Sequence, residues 1–241
     1  GAGSLMPYHI GVVQALQQHD LLPTVISGSS GGALVAAMIG TRSPEELNTI
    51  LSGGGLSDMI LETLVKLKVE MQPTKRLGLL SPLLTEEILN RIVESWIPDL
   101  TFGEAYELSG LLINISITPA NIAGASRLLN ATTSPHVFIR EAVRASCAVP
   151  GVFPAVELSA KDFDGKRRAY IGGQEWIDGS VGLDLPSRRL GRLYGVNHFI
   201  TSQTNPAVLW AVKRAGKAGP TGKRVIEWAS DVFRANLKAI R

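Results

Sequence analysis

The 241-residue sequence predicts an α/β fold, with a mostly parallel central sheet covered by helices. Three observations predict it. Short apolar runs alternate with segments of helical periodicity, the pattern of strands that cross over through helices. Hydrophobic residues make up 45% of the chain and charged residues 19%, a composition that excludes a disordered chain. A glycine- and serine-rich turn, Gly28–Gly32, stands between an apolar strand and a helix of small residues.

In chain order, residues 7–19 read as a helix with Ile10, Val13 and Leu16 on one face. Thr24–Ser27 is a short apolar strand, and Ala33–Ile39 a helix of small residues. Ser43-Pro44-Glu45-Glu46 is a helix start, with Ser43 as cap, Pro44 in the first turn and Glu46 completing a capping box. Residues 58–71 are amphipathic, with Ile60, Leu64, Leu67 and Met71 on the apolar side. Ile88, Leu89, Ile92, Val93 and Trp96 mark a further helix. Leu111–Thr118 and Ser126–Thr132 read as strands, and Phe138–Cys147 as a helix ended by Pro150. Tyr170–Asp178 is extended, Pro186–Tyr194 helical, and His198–Thr201 a late strand.

The chain divides into a main domain, residues 1–209, and a basic amphipathic helical tail, residues 210–241. The tail carries eight basic and two acidic side chains, a net of +6, against +3 for the whole chain. The excess suggests an anionic contact for the tail or a solvated helix face. One cysteine, Cys147, excludes an internal disulfide and a cysteine-based zinc site. The chain opens on Gly-Ala-Gly, with no recognisable signal peptide. Residues 21–41 lack charge, but their Ser27–Gly32 centre is polar and flexible, which argues against a membrane span.

Gly28-Ser29-Ser30-Gly31-Gly32 fits G-x-S-x-G between a strand and a helix, the context of a nucleophile elbow. So tight a turn leaves no room for bulk beside the serine, which predicts a steric need for Gly28 and Gly32. The helix N-terminus favours negative charge at the serine oxygen. A phosphate loop is the competing reading, but Ala33-Leu34 stands where that motif needs Lys-Ser/Thr. A second turn, Gly1-Ala2-Gly3-Ser4, also enters a helix; its amides, with that of Gly31, are candidate oxyanion donors.

A serine nucleophile needs a base. His9 lies on the first helix and reads as a packing residue, His19 as an exposed helix end, and His136 as a loop residue. His198 would complete the chain order Ser…Asp…His of α/β-hydrolases. Asp178, in Trp176-Ile177-Asp178-Gly179-Ser180, lies where an extended run becomes a loop, a good position for a carboxylate.

The chain resembles the patatin-like lipases, and within them the triacylglycerol lipase branch of yeast lipid droplets, plant seeds and some bacteria. The resemblance covers residues 1 to about 210 and rests on several ordered segments. They include Tyr8–Val13, Val25–Gly32, Asn114–Ser116, Leu128–Pro135, Ile139–Ala142, Ala145–Pro154, Trp176–Ser180 and Ser202–Pro206. It implies a patatin-like three-layer α/β/α sandwich with a mostly parallel central sheet, and a Ser30–Asp178 dyad with no histidine, no metal and no cofactor. It also implies an oxyanion loop at residues 1–4, although Ala2 and Leu5 depart from the usual glycine and basic residue. Cys147 then belongs to the core, and Pro150–Pro154 to the acyl-chain region or a plain turn. The implied substrates are lipid esters, triacylglycerol first, with a phospholipase or lysophospholipase and a weakly active lipid-surface scaffold as alternatives. The implied setting is a peripheral membrane or lipid-droplet surface on an otherwise cytoplasmic protein, with no nucleic-acid partner.

Overall fold

A computed structural model describes residues 6–52, 86–121, 124–179 and 185–203, with isolated positions at 55, 58–59 and 62–63. The amphipathic segment 58–71 lies almost wholly outside the described residues, and residues 204–241, the 210–241 tail among them, entirely so.

The chain enters through α1 (Met6–Gln18), β1 (Val25–Gly28), α2 (Gly31–Gly40) and α3 (Pro44–Leu51). It continues through α4 (Glu86–Trp96), α5 (Phe102–Ser109), β2 (Leu112–Pro119), β3 (Arg127–Asn130) and α6 (Ile139–Cys147). Next come four short strands, β4 (Val156–Glu157), β5 (Ser159–Lys161), β6 (Arg167–Ala169) and β7 (Glu175–Asp178), then α7 (Ser187–Tyr194). The capping box at Ser43 forms with both of its hydrogen bonds, and a second one, Thr101 with Glu104, starts α5. No helix among the described residues is long and apolar enough to cross a membrane.

The central sheet is mixed, which corrects the expectation of a mostly parallel one. β1 pairs with β2 in parallel, while β3 and β7 pair with β2 antiparallel and β4 pairs with β7 antiparallel. The parallel pair follows from the long helical crossover between β1 and β2; the short link from β2 to β3 permits only reversal. β5 and β6 form a separate hairpin. Ion pairs of Lys161 with Glu104, and of Arg167 with Asp99 and Glu141, fasten it to the helices. The expected strand at His198–Thr201 is not one: residues 195–203 make no described ladder. Of the extended run Tyr170–Asp178, only Glu175–Asp178 is strand.

β2 is the hub. Its residues Leu112–Ile115 pair with β1 and Ile117–Pro119 with β7, while Asn114–Ile117 pair with β3. A strand has two edges, and β3 overlaps both other partners in register. β1 and β7 therefore share one edge of β2, end to end.

Side chains along β2 alternate between faces. Ile113, Ile115 and Ile117 face α2: a Cβ on Gly40 would stand 2.3 Å from an Ile113 side-chain carbon. Asn114 faces the other way, where its Oδ1 accepts a 3.0 Å hydrogen bond from Tyr194 Oη of α7. The core on the α2 face includes Met38, Ile39, Val93, Ile97, Phe102 and Ile139, all nearly or wholly buried. Two carbonyl contacts fix the start of α6 in that layer. Arg140 donates from Nε to Ile97 O at 2.7 Å and from Nη2 to Glu94 O at 3.0 Å.

Candidate active site

The turn after β1 has the geometry of a nucleophile elbow. Ser30 holds φ 54° and ψ −125°, a positive φ at a non-glycine residue. Such a conformation costs about 1–3 kcal/mol and persists only where the surroundings enforce it. Part of that enforcement is steric. A Cβ on Gly28 would lie 2.2 Å from Gly32 O, so this position requires glycine. The same necessity does not hold at Gly32, where a Cβ meets nothing within 4 Å, which corrects the steric expectation for that residue.

The remaining enforcement is by hydrogen bonds. Ser30 O accepts from Ala33 N at 2.8 Å and from Leu34 N at 3.2 Å as α2 begins. Ser30 N donates to Ser146 Oγ at 3.0 Å, and Ser146 Oγ donates to Ser116 O at 2.8 Å. The Gly32 amide is taken by Ser29 O at 3.0 Å. Gly31 is the first residue of α2, where amides have no helical carbonyl to bond and the helix dipole is positive.

Asp178 reaches the same place from the other direction. It ends β7 opposite Ile117, two residues along β2 from Ile115, the partner of Gly28. That interval is about 7 Å. Cross-strand partners share a face, so Asp178 projects with Ile117 toward the layer of α2 and α6. The carboxyl is buried, at 1% exposure. Asp178 N donates to Ala148 O at 3.0 Å, just past α6. Gly179 presses on β2: a Cβ there would stand 2.2 Å from Ser116 O, so no side chain can follow the aspartate.

The end of α6 thus touches both residues, through Ser146 and Ala148, and Cys147 between them reports on both side chains. Burial pushes the Cys147 thiol up to about 12, the negative charge of Asp178 adds to the rise, and a hydrogen bond with the Ser30 side chain opposes it. The thiol is therefore neutral near pH 7 and a poor nucleophile. Sequence reasoning assigned Cys147 to the core and gave Ser146 no role. The signal for Ser146 was present, since it lies in the Ala145–Pro154 segment, but nothing in the sequence pairs it with Ser30.

The histidines stand elsewhere. His9 is buried, and its Nδ1 lies 2.7 Å from Ser202 Oγ. His198 is exposed, and its Nδ1 contacts its neighbour Asn197 Oδ1 at 2.7 Å. Both line a cavity of about 730 Å³ beyond β1, with Ser29, Val35, Leu190 and Phe199 among its walls. Ser30, Asp178 and the Pro150–Pro154 turn are not part of that lining. Gly1, Ala2, Gly3 and Ser4 lie outside the described residues.

Fold and turn together define a class: an α/β protein with a strained serine at a strand-to-helix elbow and a buried carboxylate at a neighbouring strand end. The patatin-like phospholipase family matches residues 1–188, and this chain belongs to that family. It is 36% identical to triacylglycerol lipase SDP1L of Arabidopsis thaliana over 86% of this chain and 27% of that protein. It is 37% identical to triacylglycerol lipase 4 of Saccharomyces cerevisiae over 85% of this chain and 23% of that protein. A patatin-like phospholipase domain-containing protein of Pyricularia oryzae is 40% identical over 86% of this chain and 26% of its own length. The chain spans about a quarter of the length of these relatives.

Proposed function

We propose that this chain is the catalytic domain of a lipid ester hydrolase of triacylglycerol-lipase type, working through a Ser30–Asp178 dyad. The observation that carries the proposal is the convergence of the strained Ser30 turn and buried Asp178 on one junction of one strand edge. Membership of the family and the names of the two lipase relatives supply the substrate class.

In this reading Asp178 takes the Ser30 hydroxyl proton as Oγ attacks the ester carbonyl. Charge develops on the carbonyl oxygen and is met by the Gly31 amide and the positive end of α2, with the 1–4 turn as the second donor group. The intermediate collapses to an acyl-serine and releases the alcohol, which takes the proton back from Asp178. Water, deprotonated by the same carboxylate, then attacks the acyl carbon; the bond to Ser30 Oγ breaks, Oγ takes the proton back from Asp178, and the fatty acid is released. No step needs a metal or cofactor.

The family's name keeps a phospholipase as the second reading. We also read the architecture as a three-layer sandwich, supported by α2 and α7 on opposite faces of β2. The proposed setting is a membrane or droplet surface, with the basic tail from residue 210 as a candidate lipid contact. The test is release of fatty acid from emulsified triolein and from phosphatidylcholine vesicles by the purified chain and its Ser30→Ala variant. Triolein hydrolysis lost in the variant supports the first reading. Hydrolysis of phosphatidylcholine alone favours the second. Turnover retained by the variant contradicts both.

A further inference from the structure

The Ser30 amide and the Ser116 carbonyl meet at one buried hydroxyl, and the directions of its two bonds are forced. An amide can only donate and a carbonyl can only accept, so Ser146 Oγ receives the Ser30 N–H at 3.0 Å and gives its own proton to Ser116 O at 2.8 Å. Ser146 is wholly buried. Ser116 lies between Ile115 and Ile117, at the gap where β1 ends and β7 ends on the shared edge. Gly179 packs against that same carbonyl. One carbonyl is thus the common reference for the turn that carries Ser30 and for the strand end that carries Asp178.

We infer that Ser146 is a positioning residue: its hydroxyl sets the Ser30 turn, and with it the Ser30 oxygen, against the β2–β7 junction that holds Asp178. The inference rests on Ser30 acting as the nucleophile. Without the hydroxyl, Ser30 N–H and Ser116 O lose their shared partner, and the positive φ at Ser30 loses a bond that holds it. A nucleophile displaced by about 1 Å loses on the order of 100-fold in rate. Substrate binding, which needs no strained φ, is left largely intact.

The experiment measures kcat and KM for a soluble p-nitrophenyl ester with the parent chain, Ser146→Ala, Ser146→Cys and Ser30→Ala, after thermal unfolding defines the folded range of each. With kcat expressed per folded molecule, Ser146→Ala is expected to lower it by about 10–100-fold with KM within about twofold; without that normalisation, loss of folded protein alone would lower apparent kcat at unchanged KM. Ser146→Cys keeps the shape but offers a weak hydrogen-bonding group, and is expected to fall between the two. It decides the matter if the alanine variant does not fold. A folded variant with kcat within twofold of the parent overturns the positioning role while leaving the hydrolase reading intact, provided Ser30→Ala is inactive. Turnover retained by Ser30→Ala overturns both.

Discussion

Gly28 and Asp178 stand opposite Ile115 and Ile117 on the same edge of β2, so β1 and β7 end toward each other with only the Ser116 position between them. β1 runs parallel to β2 and β7 antiparallel, which is why residues nearly 150 positions apart arrive at one point from opposite directions. The end of α6 then spans the junction, bonding Ser30 through Ser146 and Asp178 through Ala148.

The two elbow glycines differ in kind, and substitution separates them. A methyl at Gly28 collides with Gly32 backbone at 2.2 Å, whereas at Gly32 it enters open space in a helix. Gly28→Ala is expected to destabilise by about 3 kcal/mol or more. Gly32→Ala is expected to be neutral or to stabilise by up to about 1 kcal/mol, since alanine outranks glycine in helices. Urea unfolding of both variants checks the contrast; equal effects would contradict it.

Gly179 allows a parallel test on the acid side. Its substitution by alanine forces a methyl to within 2.2 Å of Ser116 O and must displace the end of β7. Turnover by Gly179→Ala is expected to fall by at least about tenfold even where the protein remains folded, because the displaced residue is the neighbour of Asp178. Steady-state kinetics together with circular dichroism of the same preparation read this out.

Much of this arrangement was legible in the sequence, and the remainder was hidden for identifiable reasons. The Ser43 cap was read from four residues because a capping box is a local contract between neighbours. Thr101-Phe102-Gly103-Glu104 carries the same signal for α5 and could have been read the same way. Strand direction could not. Periodicity reports which face of β7 is buried and says nothing about whether Asp178 meets Ile117 in parallel or in reverse. The apolar run His198–Thr201 has strand composition but no described partner, and composition cannot supply one. Ser30 and Asp178 were visible as candidates through motif and resemblance; their shared edge, and Ser146 between them, exist only in three dimensions.

The Thr101 cap offers a quantitative check on local stability. Its Oγ accepts from the Glu104 amide at 3.3 Å, and a Glu104 carboxylate oxygen accepts from Thr101 N at 2.8 Å. Thr101→Ala is expected to cost about 1 kcal/mol in urea unfolding, without change in KM.

Cys147 is expected to resist alkylation by iodoacetamide at pH 8 in the native protein and to react fully in denaturant, since burial first, and Asp178 second, disfavour its thiolate. The thiol ionises near 9.0 when free and near 12 in the fold. The unfolded chain therefore loses its proton first as pH rises. The contribution of the neutral buried thiol is full below pH 9 and is lost progressively toward pH 12. Chemical unfolding across that window is expected to show a steeper fall in stability for the parent than for Cys147→Ala.

The central claim, that Asp178 activates Ser30, is tested most directly by the rate at which a fluorophosphonate probe labels the folded protein, with the adduct located by peptide mass spectrometry. Labelling is expected on Ser30 in the parent, unchanged in His198→Ala and slowed by at least about 100-fold in Asp178→Asn. A parent chain that labels elsewhere, or an Asp178→Asn variant that labels Ser30 at the parent rate, would contradict the dyad.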